Sequence, residues 1–203
     1  MLAGYRRTED PAAFARDPDA GVRAAALGAL SRTGRLTPAA VARGLGDPDP
    51  MVRRRAALLA GSALGASSAS GDLTGSLIGL LVRALGDPEP FVAEAAGWAL
   101  GEAGSAAEDA VDRLCAVADG HDDPLVREAA VAALGAIGAP RALGAVLGAL
   151  DGPPALRRRA AVALAAFDDP RAEEGLARCL EDRDWQVRQV AEELLRPDDP
   201  GAP

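Results

Sequence analysis

Between Val126 and Gly138 the chain reads VREAAVAALGAIG. Its apolar positions 126, 130, 133, 134 and 137 share one face when the segment is wound as an α-helix. The final glycine is the residue type that most often ends a helix. The stretch therefore predicts an amphipathic helix with one buried side, and Val22 to Gly34 and Val92 to Gly104 repeat it closely.

The pattern recurs six times along the chain. Each copy has a valine or leucine followed four positions later by alanine, and in most copies an aspartate stands five positions before that pair. The anchor pairs are Val22/Ala26, Val52/Ala56, Val92/Ala96, Val126/Ala130, Leu156/Ala160 and Val187/Ala191. A spacing of about 30 to 40 residues is typical of helical solenoids, whose units stack on one another and do not fold alone.

A second helix is predicted before each of these. An N-cap residue followed by proline starts three of them, Asp10-Pro11, Thr37-Pro38 and Asp169-Pro170. Proline turns such as Asp47-Pro48 then separate the two helices. We predict an all-α fold, an α-α superhelix of about six helical hairpins in a single domain over residues 10–196. The expected repeats are 10–34, 37–64, 73–104, 105–138, 139–167 and 169–196.

Three features depart from the repeat. The segment 65–72 reads GASSASGD and is predicted to be a flexible inserted loop, and residues 197–203 are predicted to be a disordered tail. In the last repeat Trp185 takes the place of the turn proline. We expect Trp185 to cover the open end of the stack, because terminal repeats are commonly atypical.

The string D-P-x-x-x-V-R-x-x-A-x-x-A-L, as in Asp17–Leu30, resembles the HEAT-like repeat of the phycobilisome-lyase type. The resemblance covers residues 10–196. It implies the solenoid fold, and its members include bilin lyases, deoxyhypusine hydroxylases and interaction proteins. The hydroxylases hold iron through repeated His-Glu pairs, whereas His121 is the only histidine here. No catalytic residue carries over from either enzyme class.

Composition excludes several classes of function. The formal net charge is −8 and aromatic residues make up 3% of the chain, which argues against a nucleic-acid groove. Arg54, Arg55, Arg158 and Arg159 offer only a discontinuous basic surface for one. No stretch reaches the length of apolar residues needed to cross a bilayer, so we expect a cytoplasmic protein that makes no membrane contact. We expect no metal and no cofactor, since one histidine and two separated cysteines cannot form a typical site.

The charged residues of the repeat predict a structural ladder that fixes how the units stack. Aspartate in the turn is expected to cap the second helix and to meet an arginine of its own or the next unit. The predicted members are Asp17, Arg23, Asp47, Arg53, Arg127, Asp151, Arg157, Asp182 and Arg188. The third unit has Ala93 in place of the arginine, and His121, interpreted as a turn residue, replaces the aspartate of the fourth.

Residues two and six positions after each anchor point away from the buried stripe, toward the concave face that second helices line in HEAT-like stacks. These positions, together with Glu102 one turn further on, predict a partner-binding surface made of Arg54, Glu94, Trp98, Glu102, Glu128 and Arg158. Trp98 lies at its centre and resembles the aromatic anchor of a binding hot spot. The sequence equally allows Trp98 to lean into the neighbouring unit and fill space left by alanines.

Two classes of function remain open at this point. The first is a non-enzymatic scaffold that binds a protein or peptide through its concave face, as a monomer or as a weak dimer formed through its ends. The second is a lyase-like or accessory enzyme that acts on a small molecule or modified peptide held in the same groove. Glu94, Glu102 or Glu128 would then act as acid or base. We expect the scaffold, because the repeat pattern is complete and no catalytic signature accompanies it.

Overall fold

The computed structural model describes residues 10–66 and 71–196. Within these ranges the chain forms α-helices and short 3-10 helices and contains no strand, which confirms the all-α prediction. The α-helices are α1 (Ala20–Arg32), α2 (Pro38–Leu45), α3 (Pro50–Gly65), α4 (Gly71–Ala84), α5 (Pro90–Glu102), α6 (Val111–Gly120), α7 (Pro124–Ile137), α8 (Leu143–Gly148), α9 (Pro154–Leu164), α10 (Pro170–Cys179) and α11 (Trp185–Leu195). The 3-10 helices are Pro11–Arg16, Gly104–Ala110, Pro140–Ala142 and Ala149–Asp151.

The helices form two layers. The inner layer consists of α1, α3, α5, α7, α9 and α11, each packed against the next. The outer layer contains α2, α4, α6, α8 and α10, with the 3-10 helix Pro11–Arg16 standing in for the outer helix of the first unit. The six predicted hairpins are therefore present as a solenoid.

The boundaries of the predicted loop differ from the expectation. Helix α3 continues to Gly65 and α4 already begins at Gly71, so both ends of the segment 65–72 belong to helices. Residues 67–70 and the predicted tail 197–203 lie outside the described residues.

The anchor pairs form the core between the layers. The six anchor alanines are fully buried, and the anchor aliphatic residues are buried from the second unit onward. Val22, in the first of the six units, is the exception at 36% exposed. Leucines of the outer helices, such as Leu81 and Leu114, complete the buried layer. Burying apolar side chains between successive units is the main stabilising term of this fold.

Glycines let the inner helices approach closely. A Cβ placed on Gly61 of α3 would lie 2.8 Å from Ala99 Cα of α5, and one on Gly135 of α7 would lie 2.8 Å from Ala163 Cα of α9. Gly101 faces Ala133 in the same way between α5 and α7, at 3.3 Å. Only a residue without a Cβ fits these contacts unstrained, so the glycines set the spacing of the inner layer.

The aspartate that caps the inner helix is not the one predicted. Asp19, Asp49, Asp123 and Asp184 cap α1, α3, α7 and α11 by accepting backbone N–H groups of the first turn. The aspartate two residues earlier accepts the N–H of the capping residue instead, as Asp47 does from Asp49 at 2.9 Å. The spacing explains the difference, since the side chain of an N-cap residue reaches only the N–H groups two or three residues ahead.

The last inner helix begins at Trp185, which is 62% exposed. That this residue covers the open end of the stack stays a prediction. Position 185 lies nearly opposite the buried anchor Val187 on the helix, which accounts for its exposure.

Candidate functional site

The exposed face of the inner layer carries a groove across the second to fifth units. It has a volume of about 380 Å³, within the range of ligand-binding clefts. We call it the central groove. Its lining comes from four successive inner helices and consists of Arg54, Leu58, Glu94, Ala95, Trp98, Leu125, Glu128, Ala129, Ala132 and Arg159. The helix pattern produces it because most of these side chains lie away from the buried stripe of each helix; Ala95, which is buried, lies at its edge.

Trp98 is partly packed and partly exposed. Its ring extends over Gly61 of the preceding inner helix, where a Cβ would come within 2.8 Å of Cζ3 of the indole. The side chain nevertheless remains 41% exposed in the central groove. Both sequence readings of Trp98 therefore describe part of its environment. The contact with Gly61 fixes the ring, and the exposed part offers a rigid apolar surface.

Charges of both signs surround Trp98. Glu94 and Glu128 line the middle of the central groove, and Arg54 and Arg159 lie toward its two ends. Among the described residues, none of these four side chains forms an ion pair within 4.0 Å. The Nε of Arg54 is buried and has no acceptor within the described part of the chain. A buried donor without an acceptor is unfavourable, so this side chain would gain a hydrogen bond by turning toward an acceptor supplied by a ligand.

Two predicted members of the site are placed elsewhere. Glu102 lies at the end of α5, with its Oε2 3.1 Å from the position of a Cβ on Gly65, and does not line the central groove. Arg158 donates from Nη1 to Oε1 of Gln186 in the last unit, and Arg159 takes the place expected for Arg158. The prediction from ideal helical angles was therefore wrong for these two residues, which lie near the edge of the exposed face of the inner layer.

Leu125 is a groove residue that the sequence reasoning missed. It is 58% exposed and lines the central groove together with Trp98, from the first turn of α7. Leu125 comes one position before the anchor Val126. On a helix this places it about 260° from the anchor, on the same face as the residues two and six positions after the anchor. Met51 and Phe91 are its equivalents in the second and third units. Including this position in the pattern would have revealed an apolar row.

The ladder has a repeated geometry in three places. Arg23 contacts Asp47, Arg53 contacts Asp87, and Arg157 contacts Asp182, each with a closest distance of 2.7 Å between the guanidinium and the carboxylate of the next unit. In each pair Nε and Nη2 donate to the two carboxylate oxygens. This bidentate arrangement joins one inner-helix turn to the next and orients the units.

The remaining predicted ladder residues do not form such pairs. Arg127 donates to the carbonyl of Ala118, and Arg188, in the last unit, donates to the carbonyl of Asp182. Asp17, in the first unit, accepts the N–H of Asp19. Asp151 ends a 3-10 helix and is turned outward, so its carboxylate is exposed and lies 3.6 Å from Arg178. Its assignment to the ladder was wrong.

At the junction of the third and fourth units Ala93 and His121 replace both ladder residues. His121 Nδ1 accepts the N–H of Asp123 at 3.0 Å, which is the turn contact that aspartate makes elsewhere. The ladder is therefore interrupted at the centre of the stack, where the close packing of Gly97 and Gly101 against α7 provides the contact instead.

The ladder pairs lower the pKa of their aspartates. The Arg157 guanidinium holds the pKa of Asp182 below its usual value, and the Arg23 guanidinium does the same for Asp47. Burial alone would raise the pKa of Asp87, but the hydrogen bonds from Arg53 and from the N–H of Glu89 together outweigh it. A carboxyl whose pKa is lower in the folded state stabilises the fold above its unfolded pKa of about 4. That stability is lost as the pH falls through the folded pKa.

We expect Asp182→Asn to lower the free energy of unfolding by about 2 kcal/mol at pH 7, because it removes a charged acceptor from a largely buried guanidinium. The side chains of Arg157 and Asp182 are 7% and 14% exposed. The difference from the wild type should shrink below pH 4 in denaturant titrations. Asp151→Asn is the matched control and should change stability by less than about 0.5 kcal/mol, since that side chain is 80% exposed. Equal effects of the two substitutions would contradict the ladder.

The cysteines and the histidine of the chain lie outside the central groove. Burial raises the pKa of the Cys115 and Cys179 thiols, so both are protonated at neutral pH, and neither forms a disulfide. His121 lies in a turn and contacts backbone. Within residues 10–66 and 71–196, no group of three or more His, Cys, Asp or Glu side chains could hold a metal ion.

Comparison with known proteins identifies the repeat. The family model for HEAT repeats matches residues 39–121, 77–162 and 111–196, which together span more than half of the chain. The chain belongs to the HEAT-repeat family. Comparison with curated proteins found no match. Among the described helices of this HEAT-repeat protein, none is both long enough and apolar enough to cross a membrane.

Solved structures with the same fold include natural and designed repeat proteins. A designed armadillo repeat protein in complex with the peptide (KR)4 is similar at 19% identity, with a TM-score of 0.66 and coverage of 93% of this chain and 98% of that one. A computationally designed armadillo repeat protein for modular peptide recognition has a TM-score of 0.62, with 19% identity and coverage of 92% and 98%. The complex of CpcE and CpcF of phycocyanin lyase from Nostoc sp. PCC7120 has a TM-score of 0.60, with 24% identity and coverage of 94% and 77%. At these identities the likeness concerns the fold.

Proposed function

We propose that this HEAT-repeat protein is a non-enzymatic scaffold that binds a segment of another protein, or a peptide, in the central groove. The observation that carries the proposal is the pairing of Trp98 with Leu125 on the exposed face of the inner layer. Both are large apolar side chains that remain 41% and 58% exposed, and they line the same groove. Exposed apolar side chains grouped in a cleft are typical of binding sites.

The form of the groove favours an extended ligand. Its lining residues come from four helices that follow one another along the stack, so the binding surface runs across the repeats. A peptide in extended conformation can contact several units at once, with its side chains entering gaps between them. The designed armadillo protein described above holds a peptide on the same type of scaffold, which supports this proposal by analogy.

The lyase-like alternative has less support. No histidine or cysteine lines the central groove, and Glu102, one of the three glutamates considered for acid–base chemistry, lies outside it. Glu94 and Glu128 remain in the groove, where their charges can select basic or polar groups of a ligand. A binding role therefore uses all the groove residues, whereas a catalytic role uses two of them.

The proposal can be tested with the two tryptophans of the chain, Trp98 and Trp185. Peptides are selected from a random library against the full chain, and the strongest one is titrated into the Trp185→Phe variant, in which Trp98 is the only indole. We expect the emission of Trp98 to shift to shorter wavelength as the peptide excludes water from the ring. The matched Trp98→Phe variant, which reports on Trp185, should show no shift. A failure to select any peptide, or an unchanged Trp98 emission at saturation, would contradict the proposed function.

A further inference from the structure

The first two units carry an arginine pair on the same face as the central groove. Arg32 at the end of α1 and Arg55 of α3 both extend over Gly28. A Cβ on this glycine would lie 2.9 Å from Nη2 of Arg55 and 3.3 Å from Nη1 of Arg32, so the two nitrogens cannot be further apart than the sum of these distances. A side chain at position 28 would meet the two guanidinium groups, which lie at the ends of flexible side chains.

The arginine pair has no counter-charge within the described part of the chain. No carboxylate of residues 10–66 or 71–196 lies within 4.0 Å of Arg32 or Arg55. Acidic residues outnumber basic ones, 30 to 22, and other arginines of the same units, such as Arg23 and Arg53, are paired. Two adjacent positive charges left unpaired in an acidic protein attract an anionic group from outside.

The arginine pair continues into the central groove. Gly28 stands six positions after its anchor, as do Leu58 and Trp98 in the next two units, so the three positions form one row across the inner face. Arg54 lies in the groove next to this row, with its buried Nε lacking an acceptor among the described residues. The row thus runs from a basic end to the exposed indole.

We propose that the arginine pair, with Arg54, binds a glutamate or aspartate side chain of the protein segment whose apolar anchor contacts Trp98 and Leu125. This inference rests on the proposed function and adds the charge and spacing of the ligand. Guanidinium groups bind carboxylates through strong charge-assisted hydrogen bonds. Glu94 and Glu128, which follow further along the groove, disfavour a second acidic residue there.

The stack also sets the spacing. The arginine pair lies over Gly28 of α1 and Trp98 belongs to α5, two steps along the inner layer, and packed helices lie about 8–10 Å apart, which puts the axes of these two helices about 16–20 Å apart. An extended chain rises about 3.3 Å per residue. The acidic residue is therefore expected about five or six positions from the apolar anchor along the bound segment.

The peptides selected against the full chain test this inference. We expect acidic residues to be enriched at that distance from an apolar residue. For the strongest peptide, replacing the acidic residue by glutamine should weaken binding by about tenfold, as should Arg55→Glu in the protein. Lysine at the same position should restore binding to the Arg55→Glu variant. Arg113→Glu, on the outer helix α6, makes the same charge change at an exposed residue and should leave the affinity unchanged.

The outcomes separate this inference from the proposed function. Peptides that bind and shift Trp98 emission, but show no acidic preference and no response to Arg55→Glu, would overturn the role of the arginine pair alone. A peptide with phosphoserine at the acidic position that binds more than about tenfold tighter than the glutamate peptide would overturn the assignment to a carboxylate and indicate a phosphate group. Failure to obtain any peptide would overturn both.

Discussion

Gly135→Ala is expected to lower the free energy of unfolding by about 2–3 kcal/mol, because the new methyl group would overlap the facing helix. The added Cβ would lie 2.7 Å from Cβ and 2.8 Å from Cα of Ala163. A backbone neighbour of this kind cannot move aside without separating α7 from α9. In thermal denaturation the midpoint should fall by about 5–10 °C for a chain of this size.

Gly144→Ala is the matched control. Gly144 is also within a helix, α8 of the outer layer, and a Cβ there meets nothing within 4 Å. Alanine is the better helix former, so this variant should gain about 0.5–1 kcal/mol. Opposite signs for the two variants would support glycine-mediated packing of the inner layer. Stabilisation of both by a similar amount would show that the inner helices are not in close contact.

Trp98→Ala is expected to weaken binding of the selected peptide at least about 30-fold, the loss typical of a central aromatic anchor. The part of the ring that covers Gly61 also contributes to the fold, so we expect stability to fall by about 1–2 kcal/mol as well. Circular dichroism and isothermal titration at a temperature well below the unfolding midpoint separate the two effects. A large loss of stability with the affinity unchanged would assign Trp98 to the core.

Leu125→Ser provides a second probe that depends less on folding. Leu125 is more than half exposed, so the substitution should change stability little and weaken binding by about tenfold. Leu180→Ser is the control, since Leu180 is also an exposed leucine but lies at the end of an outer helix, away from the central groove. Equal affinities of the Leu125 and Leu180 variants would argue against the groove as the binding surface.

Much of the fold could be predicted because the repeat pattern depends on local rules. The glycines that end the quoted helix and its two close copies, Gly34, Gly104 and Gly138, all adopt positive φ, as helix-ending glycines do. The spacing of valine, alanine and leucine likewise fixed which side of each helix is buried. The glycines within the helices were harder to interpret. The repeat pattern does not indicate, for example, that Gly97 and Gly101 face α7.

The candidate site could be predicted only in part. Arg54, Glu94, Trp98 and Glu128 lie together as the helical angles indicate. Arg159 replaces Arg158 because the contact with Gln186 in the next unit, which no helical angle shows, holds Arg158 outside the groove. Asp151 does not form a ladder pair because it ends a 3-10 helix, whose geometry differs from the turn in the other units. Both differences arise from local deviations that an ideal repeat does not contain.

Photo-cross-linking of the selected peptide measures most directly where it binds. A peptide with a benzophenone group beside its apolar anchor is irradiated in complex with the full chain, and the cross-linked residues are identified by mass spectrometry. Our account predicts cross-links to α3, α5 and α7 around Trp98. Cross-links confined to the outer helices α4, α6 and α10 would contradict it.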